Sequence, residues 1–112
     1  MPMYSRMLAN IAVSDQDVAE DWYSRLLDRA VDARPMARLA EWHLAESFAV
    51  QTWLDSQRAG HTTVVLEVSD LDAEMSRLDS VGIKHGGAQP GGGARILQIS
   101  DPDGNTIVLA GP

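Results

Sequence analysis

The chain has 112 residues, with 9 Lys or Arg against 16 Asp or Glu, a formal net charge of −7 and no cysteine. This length fits a single compact domain, 1–112, with one core. The acidic balance excludes the basic face that nucleic acids need, and the lack of cysteine excludes disulfides and thiolate metal sites.

The chain also lacks the signs of a membrane or exported protein. No run approaches the roughly 18 apolar residues of a membrane span. The N-terminal letters MPMYSRML lack the hydrophobic region of a signal peptide. Together with the absence of cysteine, this predicts a cytoplasmic protein with no membrane partner.

The first half of the chain predicts a strand, a helix and a hairpin. An apolar run is followed by the N-cap types Ser14 and Asp15, and apolar side chains then recur about every four residues. Two strand-like runs follow, with a weaker strand near Asp32–Arg34. The main elements are predicted at Met7–Val13, Asp17–Leu27, Ala37–Leu44 and Phe48–Leu54.

The second half repeats this order. VSDQD at Val13–Asp17 returns as VSDLD at Val68–Asp72, 55 residues later. A strand at Thr62–Val68 precedes a helical stripe that glycine stops at Gly82. A hairpin then pairs Ala94–Ser100 with Thr106–Ala110, and a weak strand is predicted near Ile83–His85. The sequence therefore predicts two βαβββ modules, at 1–56 and 57–112.

Three features of the second half have no predicted role in a site. The glycine-rich segment Gly86–Gly93 is interpreted as a flexible connection or a lid. His61 and His85 fall in predicted loops and are expected to be solvated. DPDGN at Asp101–Asn105 is interpreted as a turn between two strands.

The paired modules, the DPDGNTIVL ending and the Trp22-Tyr23 pair resemble the vicinal oxygen chelate superfamily of glyoxalases, bleomycin-resistance proteins and extradiol dioxygenases. The resemblance covers essentially the whole chain. It implies an α+β fold in which two tandem βαβββ modules form a curled mixed sheet, a cup with helices outside and ligand inside. It also implies a homodimer whose pockets lie between modules or subunits.

The resemblance implies four metal-ligand positions, and this sequence has neither histidine nor a carboxylate at any of them. The first-strand ligands would lie seven residues before Asp15 and Asp70, and the others on the last strand of each module. The residues at these positions are Leu8, Gln51, Thr63 and Val108. Two of these side chains have no donor atom, and divalent cations prefer imidazole or carboxylate in such a site. We therefore predict no metal and no cofactor.

Strand alternation predicts which side chains face the ligand. Apolarity assigns Ala40, Trp42 and Leu44, with Leu97 and Ile99, to the helix-packed side; a register slip of one residue would turn Trp42 inward. Trp53 is expected to be a pocket wall or, alternatively, part of a dimer interface. The predicted ligand-binding residues are Asn10, Glu41, His43, Gln51, Trp53, Glu67 and Gln98.

These features predict a metal-free protein, near the bleomycin-resistance branch, that sequesters a small flat or cationic organic molecule. The alternative is a lyase, isomerase or dioxygenase-type enzyme with non-standard metal ligands or with Glu41 and His43 as an acid–base pair. A third interpretation is a structural or regulatory protein whose cup is empty. The sequence does not identify the ligand.

Overall fold

The computed structural model describes residues 3–112, so the first two residues of the N-terminal segment lie outside the described part. Within these described residues, ten elements form two compact units. The first unit ends at Ala59, and the second is Gly60–Pro112. The first unit contains β1 (Met7–Val13), α1 (Gln16–Leu27), β2 (Ala33–Met36), β3 (Leu39–His43) and β4 (Phe48–Leu54). The second contains β5 (Thr63–Glu67), α2 (Leu71–Ser80), β6 (Gln89–Gly91), β7 (Ala94–Ser100) and β8 (Thr106–Gly111).

Each unit is a βαβββ module with a four-stranded mixed sheet. The strand orders are β1-β4-β3-β2 and β5-β8-β7-β6. The first strand of each module runs parallel to the last, and the other pairs are antiparallel. The predicted α+β class and the duplicated module are confirmed. That the two units act as one domain stays a prediction.

The repeated VSDxD motif caps both helices. The carboxylate of Asp15 accepts a hydrogen bond from the backbone N–H of Val18 at 3.0 Å, and that of Asp70 accepts from Ala73 at the same distance. Each Asp thus satisfies one of the amides that a helix start leaves without a partner. The motif is therefore a structural start signal for each helix.

The helix-packed side of each sheet is the core that apolarity predicted, except at Leu44, which lies after the end of β3 and is only half-buried. Trp42 is fully buried, donates from Nε1 to Ser24 Oγ at 3.2 Å and packs against Tyr23. In the second unit Leu97 and Ile99 are buried. The register that places Trp42 with helix α1 is therefore correct, and it leaves Leu39, Glu41 and His43 on the opposite face of β3.

The predicted strand at Ile83–His85 is wrong. Ile83 is buried, and its backbone N–H donates to the carbonyl of Leu78. It therefore belongs to the C-terminal end of helix α2, where Gly82 adopts a left-handed backbone conformation. The strand is instead β6, within the glycine-rich segment. Gly91 makes this possible, because a Cβ there would lie 2.9 Å from the side chain of Ile96 on β7.

His85 is not solvated as predicted. Its side chain is only 10% exposed, because Nε2 is 2.9 Å from the carboxylate of Asp79 and Nδ1 accepts the backbone N–H of Gly87. Both ring nitrogens are used, so this histidine anchors the start of the glycine-rich segment.

The DPDGN turn is held by a buried polar cluster. Asn105, fully buried, donates from Nδ2 to Asp101 at 2.8 Å and accepts the backbone N–H groups of Gly60 and Thr62, each at 3.0 Å. Asp101 in turn accepts the backbone N–H of Asp103. The turn thus fastens β8 to the segment that precedes β5. Within residues 3–112, no helix is both long and apolar enough to cross a membrane.

Candidate functional site

Three predicted site residues form one row across the sheet of the first unit. Asn10 on β1 pairs with Gln51 on β4, and Gln51 pairs with Glu41 on β3. His43 lies two residues further along β3, so it projects from the same face. We call Asn10, Gln51, Glu41 and His43 the polar row. The register brings these four residues together from three strands.

The polar row is one continuous chain of hydrogen bonds. Asn10 Nδ2 donates to Gln51 Oε1 at 2.8 Å, Gln51 Nε2 donates to Glu41 Oε2 at 2.8 Å, and Glu41 Oε1 lies 2.9 Å from His43 Nε2. An ionised carboxylate only accepts hydrogen bonds, so it fixes the orientation of the Gln51 amide. That orientation in turn fixes Asn10. The charge of Glu41 therefore orders every member of the row.

The row is half-buried at its centre and open at its ends. The side chain of Glu41 is 12% exposed, while that of His43 is 39% exposed. Asn10 is exposed as well. An open depression of about 310 Å³ lies at the histidine end, lined by Arg6, His43, Ala45 and Glu46. A ligand can therefore reach the two ends of the network more readily than its central carboxylate.

Asp32 holds the backbone of the histidine in place. Its Oδ2 accepts the backbone N–H of His43 at 2.7 Å, and its Oδ1 pairs with Arg29 at 2.9 Å. The hydrogen bond from His43 and then the bond and charge of Arg29 lower the pKa of the Asp32 carboxyl below its usual value. Sequence reasoning missed this residue, since nothing in the local pattern shows that the chain before β2 folds back onto the end of β3.

An apolar row lies next to the polar row on the same face. Trp53 pairs with Leu39 on one side and with Ala12 on the other. The guanidinium carbon of Arg38 lies 5.7 Å from the centroid of the Trp53 ring, within the range of a cation–π interaction. Arg38 was also missed, because it precedes β3 and lies opposite Leu54 rather than Trp53, so strand alternation does not place it beside the tryptophan.

The remaining two predicted residues, Glu67 and Gln98, belong to the second unit. Both are exposed, and both lie on the face of their sheet opposite the buried side chains. Strand β8 lies between them: Gln98 on β7 pairs with Val108, and Glu67 on β5 pairs with Ala110. Because Val108 and Ala110 are two residues apart on β8, Glu67 and Gln98 are not directly opposite each other. Glu67 lines an open depression of about 390 Å³ near the start of α2. These two residues do not form a hydrogen-bonded pair like those of the first unit.

A divalent cation does not fit the donor set at the positions that the resemblance implies. Leu8 and Val108 have no donor atom, and both ends of the Gln51 amide are engaged by Asn10 and Glu41. Within residues 3–112, His, Asp and Glu side chains form no group of three or more that is suited to a metal ion.

Comparison with solved structures gives the family. A glyoxalase/bleomycin resistance protein from Catenulispora acidiphila is 30% identical, with a TM-score of 0.88 over 96% of this chain and 97% of that one. The chain belongs to the glyoxalase/bleomycin resistance protein family. The predicted membership of the vicinal oxygen chelate superfamily is thereby confirmed.

Two other solved structures extend the comparison for this family member. TnmS3, an antibiotic-binding protein from a Streptomyces species, is 27% identical, with a TM-score of 0.78 over 100% of this chain and 98% of that one. A bleomycin-binding protein complexed with bleomycin shares the fold at 19% identity and a TM-score of 0.78, over 96% and 98% of the two chains. No family model matches the sequence, and no curated protein matches it.

Proposed function

We propose that this family member binds and sequesters a small flat or cationic organic molecule on the face that carries the polar row and Trp53. The observation that carries this proposal is the unbroken hydrogen-bond chain from Asn10 to His43 beside an aromatic side chain. Glu67 and Gln98 are proposed as further ligand-binding residues in the second unit.

The physical support is preorganisation. Binding costs free energy for every side chain that becomes ordered, roughly 0.5–1.5 kcal/mol each. The polar row is ordered by its own hydrogen bonds, so its members lose little further freedom when a ligand arrives. A few oriented polar groups next to an apolar surface are the usual composition of a small-molecule site.

The relatives support the ligand class. TnmS3 is described as an antibiotic-binding protein, and it is related to this chain over its whole length. By analogy, an antibiotic-sized organic molecule is our proposed ligand class. An aromatic wall such as Trp53 suits a flat molecule, and a carboxylate such as Glu41 suits a cationic one.

A thermal-shift screen of antibiotics and aromatic natural products tests this proposal. We expect at least one compound to raise the Tm of the wild type and to quench its tryptophan fluorescence. Trp22 is buried on helix α1 and Trp42 packs against that helix, so Trp53→Phe should remove most of the quenching. A folded protein that no compound stabilises would refute the proposal.

We further propose that the protein is a homodimer, lies in the cytoplasm and works without a metal. Light scattering tests the homodimer, and cell fractionation tests the location. For the metal, the supporting observation is the unsuitable donor set at Leu8, Gln51, Thr63 and Val108. Elemental analysis of protein purified without chelator should find less than stoichiometric Ni, Zn, Fe or Mn. One metal ion per chain would overturn the metal-free proposal.

A second candidate function is acid–base catalysis by a lyase or isomerase, and one contact favours it. Glu41 holds His43 by Nε2 at 2.9 Å, which is the arrangement of a carboxylate that orients a general base. Mass spectrometry separates the two functions: a sequestered ligand is recovered unchanged after prolonged incubation, and a substrate is converted. Conversion that His43→Gln abolishes would favour the enzyme.

A further inference from the structure

Arg38 is a cation without an acidic partner beside the proposed site. Within residues 3–112, five arginines form ion pairs with Asp or Glu, and Arg38 is not among them. The side chain is exposed, and its guanidinium lies over the Trp53 ring. Within residues 3–112, Arg6 and Arg58 also form no ion pair with Asp or Glu. Arg38 differs from them because it contacts the tryptophan of the proposed site.

The backbone keeps Arg38 next to the tryptophan. The carbonyl of Arg38 accepts the backbone N–H of Leu54 at 2.9 Å, and the following residue, Leu39, pairs with Trp53. The guanidinium carbon lies 5.7 Å from the ring centroid. A contact with a ring face does not use the in-plane N–H donors of a guanidinium, which remain suited to bidentate binding of an oxyanion.

We propose that Arg38 is a specificity residue, which binds an anionic oxygen group on a planar aromatic ligand while the ligand's ring lies against Trp53, which is half-buried. This inference rests on the proposed function and narrows its ligand class. Because Arg38 repels a cationic group at this end of the site, the flat ligand is favoured over the cationic one. The ligand class is an aromatic carboxylate or a compound with an equally acidic oxygen.

The polar row then fixes the direction in which the ligand lies. Glu41 is two residues along β3 from Leu39, roughly 7 Å at the usual rise of a strand. Its negative charge disfavours an anionic group at that position, so the acidic group points to Arg38. Neutral hydroxyl or carbonyl groups of the ligand point to Asn10 and His43, whose exposed ends can donate or accept.

Three probes test the inference. They share the anthracene ring system and differ in charge: anthracene-9-carboxylate is anionic, anthracene-9-methanol is neutral and anthracen-9-ylmethylammonium is cationic. Titrations followed by probe and tryptophan fluorescence should show the carboxylate binding at least about tenfold more tightly than the alcohol, as expected for a hydrogen bond to a charged group. The ammonium probe should bind least. The preference should weaken as salt is added.

Matched variants show whether Arg38 causes the preference. Arg38→Gln should bind the carboxylate and the alcohol with equal affinity and unchanged Tm, and Arg38→Lys should keep part of the preference. Lys84→Gln makes the same change in net charge in the second unit and should leave the preference intact. A carboxylate preference that survives in Arg38→Gln, or tighter binding of the ammonium probe by the wild type, would overturn the inference alone. Failure of all three probes and of the compound screen would overturn the proposed function with it.

Discussion

The carboxylate of Glu41 lies between the Nε2 atom of His43, at 2.9 Å, and the Nε2 atom of Gln51, at 2.8 Å. One residue on the middle of the polar row thus sets the orientation of its neighbours on both sides. If the carboxylate is ionised, His43 must donate from Nε2, and a neutral ring then presents Nδ1 as an acceptor. The order of this face therefore depends on one charge.

Replacing that charge should impair binding. In Glu41→Gln, the new amide oxygen can accept from Gln51 while its nitrogen donates to His43, but it can no longer accept from both. A neutral His43 ring would then present an N–H at Nδ1 instead of an acceptor. We expect ligand affinity to fall about tenfold to a hundredfold, with little change in Tm. Isothermal titration with a compound from the screen measures this. Asp21→Asn, on helix α1, changes the net charge equally and should bind normally; equal losses in both variants would contradict the prediction.

The buried amide of Asn105 should be essential for stability. Asn105→Ala leaves the N–H groups of Gly60 and Thr62 without their acceptor, at roughly 1–3 kcal/mol for each buried group. We therefore expect a loss of about 3 kcal/mol in the free energy of unfolding, measured with urea. Asn10→Ala is the matched control, because that amide is exposed and its removal should cost little stability.

Asn105→Asp tests why an amide is needed at this position. The side chain must accept from two backbone N–H groups and donate to Asp101. An aspartate can accept, but it places a second carboxylate against Asp101 and cannot donate unless it is protonated. The variant should therefore be unstable at neutral pH and recover part of its Tm as the pH falls. A variant whose deficit grows in acid would rule out this explanation.

Thr52 is the opposite case, a buried polar atom that should be dispensable. Its side chain is 1% exposed, and its hydroxyl has no hydrogen-bond partner within the described part of the chain. Thr52→Val keeps the shape and removes the unsatisfied group, so we expect a gain of about 1 kcal/mol in unfolding free energy. Thr63→Val is the control: this side chain on β5 is exposed, so the free energy of unfolding should change by less than about 0.5 kcal/mol. Destabilisation by Thr52→Val would mean that the hydroxyl has a partner.

The lowered pKa of Asp32 predicts a pH-dependent contribution to stability. Because the pKa is lower in the folded state than in the unfolded chain, ionised Asp32 stabilises the fold above the ordinary value of about 3.9. This contribution disappears as the pH falls through the lower, folded-state pKa. Asp32→Asn should therefore have a lower Tm than the wild type at pH 7, and the difference should shrink below about pH 4. A constant difference across that range would contradict the assigned cause.

Much of the fold follows from periodicity and capping signals, and the remainder depends on how individual turns bring side chains and backbone together. Strand and helix periodicity, the caps at Asp15 and Asp70, and the helix-facing side of Trp42 were predictable because each depends on neighbouring residues. Strand β6 was not, because it depends on Gly91 passing close to Ile96. His85 was misplaced for the same reason: its partners, Asp79 and Gly87, meet only after the chain turns.

The candidate site divides in the same way. Alternation placed the four residues of the polar row on one face. The register adds that Asn10, Gln51 and Glu41 lie directly opposite one another on neighbouring strands. Their hydrogen bonds could not be predicted, because a shift of one residue between β3 and β4 would separate them. Arg38 was not assigned a role, because alternation in the predicted strand puts it with Ala40 on the helix-packed side. Asp32 was not assigned one, because its bond to His43 depends on how the chain before β2 folds back.

The central claim is that the polar row and Trp53 bind a small molecule. The most direct test is a thermal-shift screen run in parallel on the wild type and on a Glu41→Gln, Trp53→Ala double variant. We predict compounds that raise the Tm of the wild type and leave that of the folded variant unchanged. A library in which no compound stabilises the wild type, or in which the same compounds stabilise both proteins equally, would contradict the claim.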